Sequence, residues 1–209
     1  TDAVLGSGFL QQTLWQAVDE SFMAITVDGD TSTNDACVLV ATGKAANQQL
    51  TAGSPDSGKF MAALDEVCLF LAQAIVRDAE GATKFVTVRV DDAQSKTEAR
   101  KVAYTIAHSP LVKTALFASD PNWGRVLAAV GRAGLQQLDI SAVNIFLGDV
   151  CIVRKGGVDS DYTEERGQAV MNENEIAITV ELGRGGASAT IWTSDLSHEY
   201  VRINSEYRS

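Results

Sequence analysis

The 209-residue sequence is poor in proline, cysteine and histidine: it has 3 prolines, 3 cysteines and 2 histidines. The few prolines exclude a long proline-rich linker. Cys37, Cys68 and Cys151 are odd in number, far apart and set in apolar runs. This pattern predicts small buried residues in a reducing cytoplasm and argues against a disulfide framework. His108 and His198 lack metal-ligand spacing, so the sequence predicts no bound metal.

Long apolar runs are also missing. The most apolar window, residues 60–76, is interrupted by Asp65, Glu66 and Gln73, so we expect no membrane span. The sequence opens without a signal-peptide pattern, which again favours a cytoplasmic protein. The net charge of −10 argues against a nucleic-acid partner, because an acidic chain repels phosphates. The acidity indicates a well-solvated surface.

Hydrophobic periodicity predicts a mixed order of helices and strands. Helices are expected at residues 8–22, 57–79 and 95–107, with shorter ones after Ser109 and Asn122. Strands are expected at 24–27, 37–41, 85–90, 143–147, 150–153, 175–182, 187–194 and 201–203. Turns that contain glycine predict two hairpins, one of strands 143–147 and 150–153 and one of strands 175–182 and 187–194. The sequence therefore predicts an α/β protein with largely antiparallel sheets layered with helices, divided into parts 1–139 and 140–209.

Two of these elements carry specific burial predictions. The run 37–41 is wholly apolar, which is typical of a strand covered on both faces. Gly81 is placed to end the 57–79 helix in a left-handed conformation. We expect one stripe of that helix to face the core, formed by Phe60, Leu64, Val67, Leu71, Ala74 and Ile75.

Residue patterns by themselves do not isolate a catalytic site. The run Gly183–Gly186 lacks the spacing of a phosphate-binding loop and favours a hairpin turn. The polar run Asp28–Asp35 is not a calcium loop, because Leu39 occupies the twelfth position. It fits either a network of turn hydrogen bonds or a place at a site. The helix start at Asn122 fits either an anion site or a simple cap.

Several stretches, taken together and in order, resemble the β chain of the ornithine acetyltransferase family, also called bifunctional glutamate N-acetyltransferases. They span nearly the whole sequence: Thr1-Asp2-Ala3, residues 27–35, Asp78-Ala79-Glu80-Gly81-Ala82-Thr83-Lys84, residues 109–115, residues 120–125 and residues 203–209. Each stretch is short, but the stretches occur in the same order as in the family, and this order makes the resemblance specific.

The resemblance implies an N-terminal-nucleophile-like fold shared with an α chain cut from the same precursor, with an α2β2 assembly. It implies transfer of acetyl from N2-acetylornithine to glutamate in arginine biosynthesis, through a threonyl acyl-enzyme. The α-amine of that threonine can serve as its base. No cofactor is implied, although some members accept acetyl-CoA as a co-substrate. On this basis parts 1–139 and 140–209 could also form one continuous unit with the α chain.

The resemblance also implies specific site residues. Glu80, Asn204 and Ser209 match substrate-binding positions of the family, and the loop Asp28–Asp35 is expected near them. No catalytic residue is assigned within this sequence, because the family nucleophile lies in an Ala-Thr-Met-Leu-like stretch before the segment matching Thr1. The alternative is that Thr1 itself is the processed nucleophile.

Two other functions stay open. One is an N-terminal nucleophile amidohydrolase or aminopeptidase, which would not be expected to share the segment around Glu80 or the ending with Asn204 and Ser209. The other is a non-catalytic partner subunit, which would follow if no threonine nucleophile precedes Thr1.

Overall fold

The structure is a computed structural model that describes residues 1–207. The chain separates into two units. Unit one comprises Thr1–Ile25 and Thr31–Ile75, and unit two comprises Thr26–Asp30 and the chain from Val76 onward. In the described residues, no helix is both long enough and apolar enough to cross a membrane.

Unit one is built mainly on helices. Helix α1 (Ser7–Asp19) is followed by a short 3-10 helix (Phe22–Ala24), and helix α2 (Ser57–Arg77) ends at the boundary of the unit. The rings of Phe9 and Phe60 lie 6.3 Å apart and join α1 to α2. The first residues of the chain pair with the segment before α2, since the Gly6 amide donates to the Leu50 carbonyl at 3.0 Å.

The strands predicted before α2 are wrong. In the described residues, neither 24–27 nor 37–41 forms a strand. The run 37–41 is uncovered: Cys37 is exposed and Val38 is 77% exposed. The burial predicted for Cys37 is therefore also wrong, whereas Cys68 is buried.

The core-facing stripe predicted for α2 is wrong at Val67, Leu71 and Ile75, which are exposed, whereas Phe60, Leu64 and Ala74 are partly buried. The buried apolar residues of α2 are Cys68, Ala72 and Val76, which follow one another at helical spacing. A neighbouring face carries exposed apolar side chains, which are Val67, Phe70, Leu71 and Ile75. Because α2 is apolar over more than one face, periodicity could not show which face this chain covers.

Unit two contains, in its described part, a six-stranded sheet of order β4-β3-β2-β5-β1-β6. Its strands are β1 (Phe85–Ala93), β2 (Asn144–Leu147), β3 (Val150–Arg154), β4 (Gly157–Val158), β5 (Glu175–Glu181) and β6 (Ala187–Ser194). The pair β1 and β5 is parallel, and the other neighbours are antiparallel. The predicted mixed α/β class with largely antiparallel pairing is confirmed.

Strand β1 lies between β5 and β6, so the predicted hairpin of those two strands is wrong. The connection 182–186 passes across the end of β1, where the Arg184 and Gly185 amides donate to the Asp92 carbonyl. The hairpin of β2 with β3 is confirmed. Since β1 pairs with strands from the last third of the chain, one sheet spans the sequence boundary expected at residue 139.

The helices of unit two largely follow the predicted pattern. They are α3 (Lys96–Ala107), α4 (Pro110–Phe117), α5 (Trp123–Gly131), α6 (Glu164–Met171) and α7 (His198–Glu206). Ser95, Ser109 and Asn122 cap α3, α4 and α5 through their side chains. Helix α6 was not predicted, and α7 replaces the strand expected at 201–203. A second 3-10 helix covers Ile140–Ala142.

The sheet and α3 form the core of unit two. Alternate residues of β1 and β5 are buried, including Val88 and Ile178, which stand opposite one another. Helix α3 turns a fully buried apolar face to the sheet, as with Val102 and Ile106.

We predict that Val88→Ala lowers the free energy of unfolding by about 2 kcal/mol, because it leaves a cavity in the middle of the sheet. Val158→Ala, on the exposed edge strand β4, is the matched control and should change it by less than about 0.5 kcal/mol. Denaturant unfolding of both variants checks this. Equal effects would contradict the assignment of the core.

Candidate functional site

The loop between α2 and β1 carries Glu80 and turns sharply at the next residue. Helix α2 ends at Arg77, and Gly81 has φ +65°. The left-handed conformation predicted for Gly81 is thus confirmed, and it leaves the Glu80 side chain exposed beyond the helix end.

Helix α7 approaches the backbone of Gly81 closely. A Cβ atom at position 81 would lie 2.5 Å from the Tyr200 amide nitrogen and 2.9 Å from the Ser197 Oγ. The Ser197 hydroxyl donates to the Gly81 carbonyl at 2.6 Å and accepts from the Tyr200 amide at 3.2 Å. Glycine is therefore required here both for its conformation and for the space that α7 occupies.

This approach brings two of the expected site residues together. The Asn204 Nδ2 donates to Glu80 Oε2 at 2.7 Å, across 124 positions of sequence, and to the Tyr200 carbonyl at 3.0 Å. Both side chains are exposed, so their remaining hydrogen-bonding capacity faces outward. The third expected residue, Ser209, lies outside the described residues.

The buried carboxylate of Asp195 ties the Glu80 loop to the segment before α7. Asp195 is 3% exposed. Its Oδ1 accepts from the Thr83 amide at 2.8 Å and the Lys84 amide at 3.0 Å, and its Oδ2 accepts from the Thr83 hydroxyl at 2.6 Å. These bonds compensate the desolvation of the carboxylate and fix the loop that follows Glu80.

Lys113 of α4 forms hydrogen bonds with the same segment. It is 2% exposed, and its Nζ donates to Thr193 Oγ1 at 3.0 Å and to the Ser194 carbonyl. Its own carbonyl accepts from the Leu196 amide at 3.2 Å. Burial lowers the pKa of Lys113 from 10.5 to about 8, while the negative charge of Asp195 opposes that shift.

The loop at Asp28 reaches the site through a tyrosine. The Tyr200 hydroxyl donates to Asp28 Oδ2 at 2.8 Å. This hydrogen bond, together with burial, raises the pKa of Tyr200 to about 12. Asp28 Oδ1 accepts from the Asp30 amide at 2.9 Å, and Ser32 Oγ accepts from the amides of Asn34 and Asp35. The loop thus forms turn hydrogen bonds and also contacts α7.

The sequence pattern did not reveal Asp195, Ser197, Lys113 or Tyr200 as parts of this arrangement. A signal for α7 was present, because Ser197 followed by the acidic Glu199 is typical of a helix start. The strand predicted at 201–203 hid it. No local pattern indicates that Asp195 or Lys113 supports a distant loop.

The arrangement offers groups for recognition. A carboxylate can accept hydrogen bonds from an ammonium group, and the Asn204 Oδ1 can also accept, because the two N–H groups of its amide already donate to Glu80 and Tyr200. A small amino acid carries matching groups. In the part of the chain that the structure describes, no cluster of side chains is suited to hold a metal ion.

The model of the ArgJ family matches residues 1–209. The chain belongs to the ArgJ family. The family identified from the sequence motifs is thereby confirmed.

Curated relatives agree with this assignment. The arginine biosynthesis bifunctional protein ArgJ of Pseudomonas fluorescens (strain Pf0-1) is 57% identical over 210 residues, covering 100% of this chain and 52% of the relative. The protein of the same name from Methylococcus capsulatus is 59% identical over 209 residues, covering 100% of this chain and 51% of the relative. The chain therefore spans about half the length of these ArgJ relatives.

A solved structure shares the fold. The crystal structure of the arginine biosynthesis bifunctional protein argJ from Bacillus halodurans matches with a TM-score of 0.93 and 40% identity, covering 99% of this chain and 96% of that chain. The fold expected from the family resemblance is confirmed.

Lys113 predicts a pH-dependent stability. Between its folded pKa of about 8 and the ordinary 10.5, the unfolded chain binds more protons than the folded chain, so stability rises with pH. Lys113→Met removes this titration. We compare the free energy of unfolding of the wild type with that of Lys113→Met at each pH. The difference should change in favour of the wild type by at most roughly 3 kcal/mol as the pH rises across this range.

Urea unfolding at both ends of the pH range measures the effect. Lys44→Met, at an exposed lysine, serves as the control and should follow the wild-type profile. A Lys113→Met profile parallel to the wild type would contradict the buried, shifted lysine.

Proposed function

We propose that this chain is the β chain of an ornithine acetyltransferase, which transfers the acetyl group of N2-acetylornithine to glutamate in arginine biosynthesis. The observation that carries the proposal is the contact of Glu80 with Asn204 at 2.7 Å, in a chain of the ArgJ family. The relatives are named arginine biosynthesis bifunctional proteins. The family resemblance and the scarcity of cysteine favour a cytoplasmic enzyme.

Glu80 and Asn204 would bind the amino-acid substrates. The Glu80 carboxylate would accept from the ammonium group of the ornithine part or of the incoming amino acid. The Asn204 amide, held by Glu80 and by the Tyr200 carbonyl, would bind a polar group beside it. Ser209 is assigned to the same substrate site from its family position.

The chemical step would use a threonine hydroxyl as nucleophile. The hydroxyl attacks the acetyl carbonyl of N2-acetylornithine and gives its proton to the α-amine of the same threonine. The C–N bond then breaks, ornithine leaves as the protonated amine, and the acetyl group stays on the threonine as an ester. The amino group of glutamate attacks this ester and releases N-acetylglutamate and the free hydroxyl.

The nucleophile and the oxyanion hole belong to parts of the enzyme that need to be assigned separately. We assign the nucleophile to the Ala-Thr-Met-Leu-like stretch that precedes the match to Thr1 in the family, with Thr1 itself as the alternative. The oxyanion hole would be supplied by the α chain, as the family resemblance implies. Acetyl-CoA is an alternative acetyl donor to be tested on the assembled enzyme.

The acyl-enzyme is tested by intact mass of the assembled protein, before and after incubation with N2-acetylornithine. We expect the β chain to gain one acetyl group, which peptide mapping places on a threonine. Release of free acetate without transfer to glutamate would indicate a hydrolase. Absence of any mass gain in assembled protein would favour a non-catalytic subunit.

Glu80→Gln should raise the KM for N2-acetylornithine about ten- to hundredfold, because it removes a charge-assisted hydrogen bond to the ammonium group. Steady-state kinetics measures this. Glu173→Gln, at an exposed glutamate, is the matched control and should keep the wild-type KM. An unchanged KM in Glu80→Gln would contradict the binding role of Glu80.

The α chain is the partner that we propose for unit one. Val67, Phe70, Leu71 and Ile75 form an exposed apolar face on α2, with Phe70 71% exposed. Exposed apolar faces of this kind mark interaction surfaces. The chain spans about half of its relatives, so the other half is the natural source of the covering surface. An α2β2 assembly follows from the family resemblance.

We predict that the chain expressed alone aggregates, and that Phe70→Asp makes it more soluble while preventing co-purification with the α chain. Burying a side chain of this size contributes roughly 1.5–3 kcal/mol, which a buried charge would abolish. Leu111→Asp, on an apolar residue of α4 that is also largely exposed, should still co-purify. A monodisperse wild-type chain without partner would contradict the two-chain proposal.

A further inference from the structure

Helix α7 carries Asn204 and yet has little apolar anchoring. None of its residues, all of which belong to the described part of the chain, is buried. An edge-to-face contact of His198 with Phe117, whose ring centroids are 5.3 Å apart, holds its first turn. A helix packed this lightly depends on polar contacts for its position.

Successive turns of α7 each make one such polar contact. Ser197, at the cap, donates to the Gly81 carbonyl. Tyr200 donates to Asp28 at 2.8 Å, and Asn204 donates to Glu80. Tyr200 lies one turn before Asn204, whose amide also donates to the Tyr200 carbonyl. The orientation of Asn204 is therefore coupled to the position of Tyr200.

Asp28 is a fixed acceptor for this contact. The Thr26 amide donates to the Trp192 carbonyl of β6 at 3.0 Å, and Thr26 Oγ1 lies 3.0 Å from His108 Nε2. Gly29 has φ +96°, and a Cβ atom there would lie 3.4 Å from the His108 ring. The loop is thus anchored to the sheet and to the end of α3, and it presents the Asp28 carboxylate from a defined position.

We propose that Asp28 and Tyr200 form a positioning pair that sets the orientation of Asn204 toward the amino-acid substrate. The inference rests on the proposed function and adds these two residues to it. The pair gives the Asp28 loop a role that turn hydrogen bonds alone do not explain.

The pair acts on geometry more than on stability. Its hydrogen bond is near the surface, where deleting one contact changes the overall stability little. A small displacement of a substrate-orienting group, in contrast, lowers substrate affinity and rate. The Tyr200 hydroxyl is protonated at neutral pH, as any tyrosine is, and it donates to Asp28. A change in KM without a change in melting temperature therefore separates this role from a purely structural one.

The test compares Tyr200→Phe, Asp28→Ala and Asp28→Asn in the assembled two-chain protein. Tyr200→Phe deletes the donor and Asp28→Ala the acceptor, so each should raise the KM for N2-acetylornithine about fivefold at an unchanged melting temperature. The double variant should be no worse than the poorer single variant, because both remove the same contact. Asp28→Asn keeps a polar partner for the hydroxyl and should stay near wild type.

Tyr162→Phe is the matched control, since the Tyr162 hydroxyl also donates to a carboxylate, that of Glu164, away from this site. It should leave KM unchanged. Hydrogen exchange of the amides of 201–206 provides a readout that does not depend on catalysis, and it should be faster in Tyr200→Phe than in the wild type.

Wild-type KM in Tyr200→Phe, or fully additive effects in the double variant, would overturn the positioning pair. If the wild-type protein transfers no acetyl group, the proposed function fails. The hydrogen exchange measurement then tests the positioning pair independently of catalysis. Faster exchange of α7 in Tyr200→Phe would then support the coupling, and unchanged exchange would contradict it.

Discussion

The candidate site depends on the hydrogen bonds that the buried carboxylate of Asp195 accepts. The carboxylate accepts hydrogen bonds from the amides of Thr83 and Lys84 and from the Thr83 hydroxyl. The loop bearing Glu80 is thereby joined to the segment that leads from β6 into the helix bearing Asn204. A carboxylate suits this task because its two oxygens accept several bonds at once and bind amide donors more strongly than a neutral group does.

A buried negative charge needs compensation, and Lys113 supplies part of it. The lysine lies under the same segment and donates to Thr193 and Ser194. Isolated buried charges are costly, whereas charges that are hydrogen-bonded and lie near an opposite charge are tolerated. Within the described residues, no buried side-chain nitrogen or oxygen lacks a partner. The exposed residues of the candidate site therefore lie above buried polar side chains that all form hydrogen bonds.

The two units differ in how many of their apolar residues are buried. In unit two, β1, β5 and α3 bury their apolar residues, among them Val88, Ile178 and Val102. In unit one, the segment with Val38 and one face of α2 with Phe70 remain exposed. Within the part that the structure describes, an apolar run in unit one therefore does not always mark residues that this chain buries. The sequence pattern of such a run is the same whether the cover comes from the same chain or from another.

Local patterns in the sequence determined most helices and strands of unit two, the mixed class and the left-handed Gly81, because capping residues, glycines and alternation act over a few residues. The family resemblance assigned Glu80 and Asn204 to substrate-binding positions, but their contact is tertiary. Only the tertiary structure decided that β1 separates β5 from β6 and that α7 is held against Gly81. The same is true of the contacts by which Asp195, Lys113, Asp28 and Tyr200 support the candidate site. These features depend on groups far apart in sequence, whose meeting is set by sheet order and close backbone approach, and no local periodicity records either.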